Sequence, residues 1–361
     1  MAFASGVKGM SAKPSLSVSA GSAISELTDV LARPLHDLRI SVTDRCNFRC
    51  TYCRPRALYG EPYRFVDRDG LLQFAEIERV TRILAELGVR KVRLTGGEPL
   101  LRPALENLVA LLSAIPGIDD LALTTNGSLL TPKKVRLLRD AGLHRVTISL
   151  DSLRDDVFQG INDVGFPVSK VLQAIDAAAE AGLPVKVNMV VRRDLNDRDI
   201  LPMARHFRGS AHVVRFIEYM DAGNLNGWQE TQVVPAREML AQIAEHWPLE
   251  PVDPAHYGEV AKRYRYLDGQ GEIGIIASIT QPFCGSCTRA RLSADGRVFT
   301  CLFGTRGHDL RSLLRAGAND DSLRSLLRAV WADRSDQYSA LRATLPRSKG
   351  APKIEMYQIG G

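Results

Sequence analysis

The six cysteines of this chain are confined to two short stretches, and that grouping limits what the chain can be. Cys46, Cys50 and Cys53 stand as C-x3-C-x2-C in CNFRCTYC, while Cys284 and Cys287 stand as C-x2-C in CGSC, with Cys301 a hairpin's length further on. Three thiolates on one loop can hold three irons of a four-iron cluster and leave the fourth open to chemistry. Two triads predict two such clusters, each with a vacant corner, facing each other across a curled sheet. A disulfide scaffold is small and cysteine-dense, whereas this chain has 361 residues and six cysteines. A structural zinc site wants four ligands, usually as two close pairs. The first group is a triplet, and the neighbouring histidines, His36 and His144, lie outside it. Inert core cysteines have no reason to repeat such spacing. Iron–sulfur ligation implies a reducing, cytoplasmic setting.

The length exceeds one ordinary domain but suits a single barrel-type α/β body. A hydrophobic fraction of 45% allows a sizeable core, and no apolar run reaches membrane-span length, so no membrane association is expected. The net charge of +6 suits a polyanionic small molecule and, more weakly, nucleic acid. Residues 1–33 are rich in Ser, Ala, Gly and Lys with no signal-like apolar block, and they read as a disordered extension. Beyond them, strand patterns at 38–43, 89–95, 121–125, 145–150, 185–191 and 212–220 alternate with helical spacing at 74–87, 104–112, 132–141, 169–181 and 199–207. This order predicts an α/β fold: an incomplete (β/α)6 TIM-type barrel over residues 34–234, with a C-terminal region, 235–361, carrying the second triad. In that region a strand is expected at 273–279 and a helix at 323–331. Asp295-Gly296 reads as a hairpin turn that returns Cys301 toward Cys287. The polar motifs fall at the C-terminal ends of the barrel strands, where such folds build their sites.

The cysteine triplet with Tyr52 before its last member, on the loop after the first strand, resembles the radical S-adenosylmethionine superfamily. TGGEP after the second strand strengthens the resemblance. Within that superfamily the chain is similar to the GTP 3′,8-cyclases of molybdenum cofactor biosynthesis, the MoaA family. The matching stretches are DLRISVTDRCNFRCTYC, VRLTGGEPLLR, LTTNG, TISLDS, VKVN, RFIEYMD, NGW, FCGSCTRARLSADG with Cys301, and the final IGG. They run from about residue 33 to the last, leaving only the leading tail uncovered. Arg54 stands where the family often has methionine, and the N-terminal extension has no counterpart in a minimal member.

The resemblance implies a lyase with two [4Fe–4S] clusters and S-adenosylmethionine, turning GTP into (8S)-3′,8-cyclo-7,8-dihydroguanosine 5′-triphosphate. Cys46, Cys50 and Cys53 would hold the cluster that binds S-adenosylmethionine, with Tyr52, Gly97, Ser149 and Met220 contacting that cofactor. Gly97 is a glycine, in this reading, because backbone must approach the methionyl group. Cys284, Cys287 and Cys301 would hold the substrate-binding cluster. Arg39, Arg93, Thr124, Lys186, Arg289, Ala290 and Arg291 would take GTP, since guanidinium forks match phosphate oxygens. Arg39, Arg93 and Lys186 could instead form ion pairs with Glu98, Asp44 or Asp151, while Arg297 and Arg306 read as solvated charges. Gly360 and Gly361 resemble a tail that enters the site. No catalytic carboxylate is expected, because a radical abstracts the first hydrogen. The resemblance further implies an external electron donor, a homodimer, and the next enzyme of the molybdenum cofactor pathway as a partner, with no nucleic acid. Two readings compete with this one: a radical enzyme acting on RNA or a peptide, and a zinc-stabilised scaffold without catalysis. Iron counting after oxygen-free reconstitution separates them: two clusters give about eight irons per chain and one gives about four, and a zinc scaffold stays colourless.

Overall fold

Alternation along the strands sorts the chain into a helix-facing layer and a concave face. The computed structural model describes residues 27–56, 65–223, 227–342 and 354–360. Six parallel strands follow one another in chain order: β1 (Asp37–Ser41), β2 (Lys91–Thr95), β3 (Asp120–Thr125), β4 (Arg145–Ser149), β5 (Val185–Val191) and β6 (Val213–Glu218). Leu38 and Ile40, Val92 and Leu94, Leu121 and Leu123, Val146 and Ile148, and Val214 and Phe216 are buried in one continuous core. Their strand neighbours, Arg39, Arg93, Arg145 and Arg215 among them, point to the other face. The core is covered by α1 (Phe74–Glu86), α2 (Leu105–Ser113), α3 (Pro132–Asp140), α4 (Asp155–Asn162), α5 (Val168–Glu180) and α6 (Ile200–Phe207). Helices α1 and α5 stop where Gly88 and Gly182 take φ values of 123° and 77°, a conformation that costs glycine little.

The C-terminal region is not a separate layer. Its strands β7 (Leu249–Val252), β8 (Lys262–Tyr266) and β9 (Glu272–Ile276) extend the sheet beyond β6, and β10 (Arg289–Leu292), β11 (Arg297–Phe299) and β12 (His308–Asp309) extend it beyond β1. The result is one sheet of twelve strands in the order β12-β11-β10-β1-β2-β3-β4-β5-β6-β9-β8-β7. Both β10 and β9 run parallel to the barrel strands they join. The hairpin expected at Asp295-Gly296 joins β10 to β11.

Two expectations need correction, and one unassigned stretch is a strand. The chain is folded ahead of residue 34: Leu27 is buried, Thr28 bridges Pro34, and Asp29 pairs with Arg33 at 2.6 Å. The polar composition of the leading tail conceals this short stretch, because its anchors are buried charges and not an apolar run. The remainder of the expected extension, residues 1–26, lies outside the described residues. Helix α4 fills a stretch to which the pattern assigns no element. It contains Gly160 and is only eight residues long, so its propensity is weak. It forms because Phe158 and Ile161 are buried. The Lys/Arg/Tyr stretch 262–266 is a strand, paired with β7 and β9.

Glu218 joins the two regions. Fully buried at the end of β6, it accepts hydrogen bonds from Ala236 N at 2.8 Å, Ile279 N at 2.7 Å and Thr280 N at 2.8 Å. One carboxylate thus ties the last barrel strand to the start of α7 (Ala236–Ala244) and to the turn after β9. Glu218→Gln puts an amide donor against these N–H groups and is expected to cost about 3 kcal/mol in urea unfolding of the iron-free chain; a change below about 0.5 kcal/mol contradicts this role.

Candidate active site

The first cysteine loop leaves β1 and is fastened on three sides. Arg49 N and Thr51 N donate to the carbonyls of Asn162 and Ile161 at the end of α4, at 2.9 and 3.0 Å. Phe48 packs against Phe158 and Phe166. From β3, Asn126 Nδ2 donates to Asn47 Oδ1 at 2.9 Å, and Asn47 Nδ2 donates to Ser128 Oγ at 2.8 Å. From β2, Gly97 N reaches Thr43 O and Glu98 N reaches Arg45 O, both at 2.8 Å. A Cβ on Gly97 would lie 2.1 Å from Arg45 O and 3.0 Å from Cys46 Cβ. The cysteine loop's own carbonyl therefore crowds Gly97, a reason for glycine here that stands beside the one expected. Tyr52 is held by its hydroxyl, which donates to Asp151 Oδ2 at 2.8 Å, and Asp151 in turn accepts from Val190 N at 2.9 Å.

All six cysteines are free thiols. Burial, reinforced by Glu98, pushes Cys46 up to about 11; burial pushes Cys53 up to about 12 and Cys50 well above its ordinary range. These thiols hold their protons until a metal draws them off. In the second set, burial raises Cys301 to about 11. Burial also opposes ionisation of Cys287, but Arg289 and Arg334 outweigh it and bring that thiol down to about 7. Among the described residues no three His, Cys, Asp or Glu side chains converge on one point as a single metal ion requires; thiolates on separate irons of a cluster need not converge. Each loop offers three thiols and no competing disulfide, so both donor sets suit a cluster with one open iron.

Against the second set lies a cavity of about 430 Å3. Its wall carries Arg39, Lys91, Arg93, Arg145, Lys186, Arg215, Arg289 and Arg291, with Asn188 among them. Register places Arg291, Arg39 and Arg93 side by side on β10, β1 and β2. The acids proposed as their partners are engaged elsewhere. Glu98 accepts from Thr125 Oγ1 and Asn126 N, Asp44 from Val66 N, and Asp151 from Tyr52. Among the described residues Arg39, Arg93 and Lys186 have no carboxylate within 4.0 Å. Burial and the mutual repulsion of the guanidiniums hold Arg39 and Arg215 well below their usual range and bring Arg93 to about 9. Burial, then Arg215, brings Lys186 to about 8. Asp37, Glu259 and Glu272 line the same cavity but are fewer than its cations; buried cations in excess are costly, and a polyanion in the cavity relieves that cost.

Cys284, Cys287, Cys301 and Met220 also line this cavity; Cys46, Cys50 and Cys53 do not. The triads do not face each other across the sheet. The first follows the C-terminal end of β1 and the second brackets the N-terminal end of β10, its parallel partner, so the two flank opposite ends of one strand pair. Thr124 Oγ1 is buried without a hydrogen-bond partner on the face shared with Ala122. Ser149 ends β4, half-buried. Ala290 turns its methyl into the core, leaving only its backbone for a ligand. Gly360 O accepts from Arg291 Nη1, and its Cα lies against Thr95 at the end of β2; Gly361 lies outside the described residues. Arg297 and Arg306 are exposed, as expected. Arg145, Arg215, Lys91 and Asn188 were missed, yet the signal was present: Arg215 sits between buried Val214 and Phe216, the setting that singled out Arg39 and Arg93.

Residues 40–207 match the Radical SAM superfamily model and residues 212–340 the Molybdenum Cofactor Synthesis C model. A GTP 3′,8-cyclase of Acidothermus cellulolyticus is 55% identical over 322 residues, 88% of this chain and 89% of that one. One of Staphylococcus epidermidis is 48% identical over 338 residues, 93% and 99%. Streptococcus suis SuiB bound to S-adenosylmethionine shares the fold, with a TM-score of 0.60 at 14% identity over 88% of this chain and 69% of that one. Fold and first cysteine loop are thus those of a radical S-adenosylmethionine protein. Within that class the chain belongs to the GTP 3′,8-cyclase family.

Lys186 supplies a test of the cationic wall. Its charge in the ligand-free protein is present below about 8 and lost above it, and a bound anion favours the charged form. GTP affinity, measured by calorimetry, is expected to fall as pH rises through about 8, and Lys186→Met to remove that part of the dependence. An unchanged slope in the variant excludes Lys186 from the anion site.

Proposed function

We propose that this protein converts GTP to (8S)-3′,8-cyclo-7,8-dihydroguanosine 5′-triphosphate, the first step of molybdenum cofactor biosynthesis. The observation that carries this reading is a buried wall on which cations outnumber carboxylates, sharing one cavity with the second cysteine triad. A cluster held by Cys46, Cys50 and Cys53 supplies the electron that cleaves S-adenosylmethionine to a deoxyadenosyl radical. Arg39, Arg93, Lys186, Arg289 and Arg291 take the triphosphate, with Arg145 and Arg215 widening the same wall. The unpaired hydroxyl of Thr124 and the backbone at Ala290 complete the substrate's polar contacts. Cys284, Cys287 and Cys301 hold the cluster that receives the guanine end.

Gly97, Ser149, Met220 and the Tyr52 segment position S-adenosylmethionine at the strand ends. Val213, Ile217 and Ile276 supply apolar wall, which keeps water from a reactive radical. The C-terminal tail reaches the arginines through Gly360, whose O accepts from Arg291. Glu98 and Asp151, raised by burial to about 7 and 6, are occupied by the end of β3 and by Tyr52 of the cysteine loop and need take no proton from the substrate. In this reading the enzyme works in the cytoplasm, where thiols stay reduced. It draws on an external electron donor, and as a homodimer it hands its product to the next enzyme of the pathway. No helix among the described residues is long and apolar enough to cross a membrane.

Oxygen-free incubation with GTP, S-adenosylmethionine and reductant is expected to yield the cyclised nucleotide and deoxyadenosine, followed by chromatography. Cys284→Ala is expected to lose the nucleotide product, and Arg39→Ala to weaken GTP binding by about tenfold to a hundredfold. Deoxyadenosine from the parent enzyme without any cyclised nucleotide would sink the assignment.

A further inference from the structure

The second cysteine set is braced from behind by buried charges that face away from the substrate cavity. Asp29 and Arg33 come from the segment ahead of β1, and Arg334 follows the helix Asp320–Ala332. Their exposures are 6%, 0% and 4%. Asp29 Oδ2 accepts from Arg33 Nε at 2.6 Å and from Arg334 Nη1 at 3.2 Å, so one carboxylate locks two guanidiniums together. Trp331 completes the lock: its ring lies 4.5 Å from the Arg334 guanidinium, and its Nε1 donates to Arg33 O at 3.1 Å.

Other donors of these arginines reach the backbone that carries the cysteines. Arg33 Nη1 donates to Cys284 O at 2.8 Å and to Asp336 O at 2.8 Å. Arg334 Nη1 donates to Cys287 O at 2.6 Å, and Arg334 Nε to Thr300 O, the residue before Cys301, at 3.1 Å. Thr300 Oγ1 donates to Asp336 Oδ2 at 2.5 Å. Every segment bearing a cysteine of the second set thus receives a charge-assisted hydrogen bond from one of two arginines. The first set is fastened differently: the guanidinium bond at a cysteine carbonyl there, Arg49 Nη1 to Cys46 O at 2.6 Å, comes from within its own loop, beside backbone, asparagine and Tyr52–Asp151 contacts.

We propose that Arg33 and Arg334, locked by Asp29, are positioning residues for the second cysteine set: they hold its three backbone segments in place before iron arrives and lend positive charge to whatever cluster binds there. The proposal rests on reading Cys284, Cys287 and Cys301 as cluster ligands. The two guanidiniums face the buried carboxylate of Asp29 and the partly exposed one of Asp336, 3.7 Å from Arg334, so removing either guanidinium leaves the surroundings of the thiolates more negative. Cationic surroundings favour the reduced, more negative state of an iron–sulfur cluster and raise its potential. Outer partners of this kind usually alter metal retention by about tenfold to a hundredfold.

The test uses the full chain, reconstituted without oxygen, with Arg33→Lys, Arg334→Lys and Arg334→Met compared with the parent. Iron retention against a chelator and the potential of each cluster, from redox titration followed by electron paramagnetic resonance, are the readouts. Both lysine variants keep charge but lose the fork, so iron at the second site is expected to leave about tenfold to a hundredfold faster with the first cluster unmoved. Arg334→Met is expected in addition to lower the potential of the second cluster alone. If the methionine variant does not fold, the two lysine variants decide by the same retention measurement. Second-cluster retention and potential equal to the parent's in folded variants overturn the positioning role, and so does equal loss at both sites. A parent chain that holds only about four irons overturns the cluster reading, and the positioning role with it.

Discussion

Parallel hydrogen bonding between β1 and β10 sets Asp37 opposite Arg289 and Arg39 opposite Arg291. Those two strands come from segments about 250 residues apart, and their pairing does most of the work of assembling the site. It brings the FCGSCTRAR stretch onto the barrel's open edge, so that Arg289 and Arg291 continue the row begun by Arg39 and Arg93. Because the strands are parallel, the loop after β1 and the loop before β10 emerge at opposite ends of the pair. The two cysteine sets are separated by the length of a short strand, with guanidiniums between them. An antiparallel pairing would have put both sets at one end.

The electrostatics follow from that geometry. The concave wall gathers cations from many strands, and only some are neutralised: Arg145 by Asp120 at 2.7 Å and Lys91 by Asp37 at 3.4 Å. Other buried acids are turned to structural tasks: Glu98 holds the end of β3, Asp151 holds Tyr52 of the first cysteine loop, and Glu218 holds α7 and the turn after β9. Buried like charges destabilise the empty protein, and a triphosphate offsets part of that cost when it binds. The same arginines act differently on the two sets of thiols. Cys287 lies close enough to Arg289 and Arg334 to fall to about 7, whereas in the first set burial outweighs the nearby guanidiniums and the thiols stay high.

Much of this was legible along the chain. The six parallel strands and most of their helices follow from apolar periodicity and glycine stops. Arg39 and Arg93 stood out as cations among strand residues. Helix α4 did not, because what stabilises it is burial of Phe158 and Ile161 and not its own propensity. Asp29 and Arg33 looked like part of a polar tail, and their role depends on Arg334, which lies about 300 residues away. Gly97 was recognised as a glycine that must admit close backbone, but the visitor, Arg45 O, was visible only once β2 and the cysteine loop lay side by side. Ala290 was grouped with its arginine neighbours; strand alternation sends its methyl the other way.

The order of residues by itself determined the ligand inventory, the alternation of strand and helix, and which strand residues are cations, because those depend on spacing over a few positions. Only the tertiary structure decided which edge the second cysteine set joins, where the two sets stand relative to each other, and which buried acids are left to neutralise the arginines. Those outcomes depend on strand pairing and on competition for hydrogen bonds between residues hundreds of positions apart, and nothing local in the chain encodes who wins.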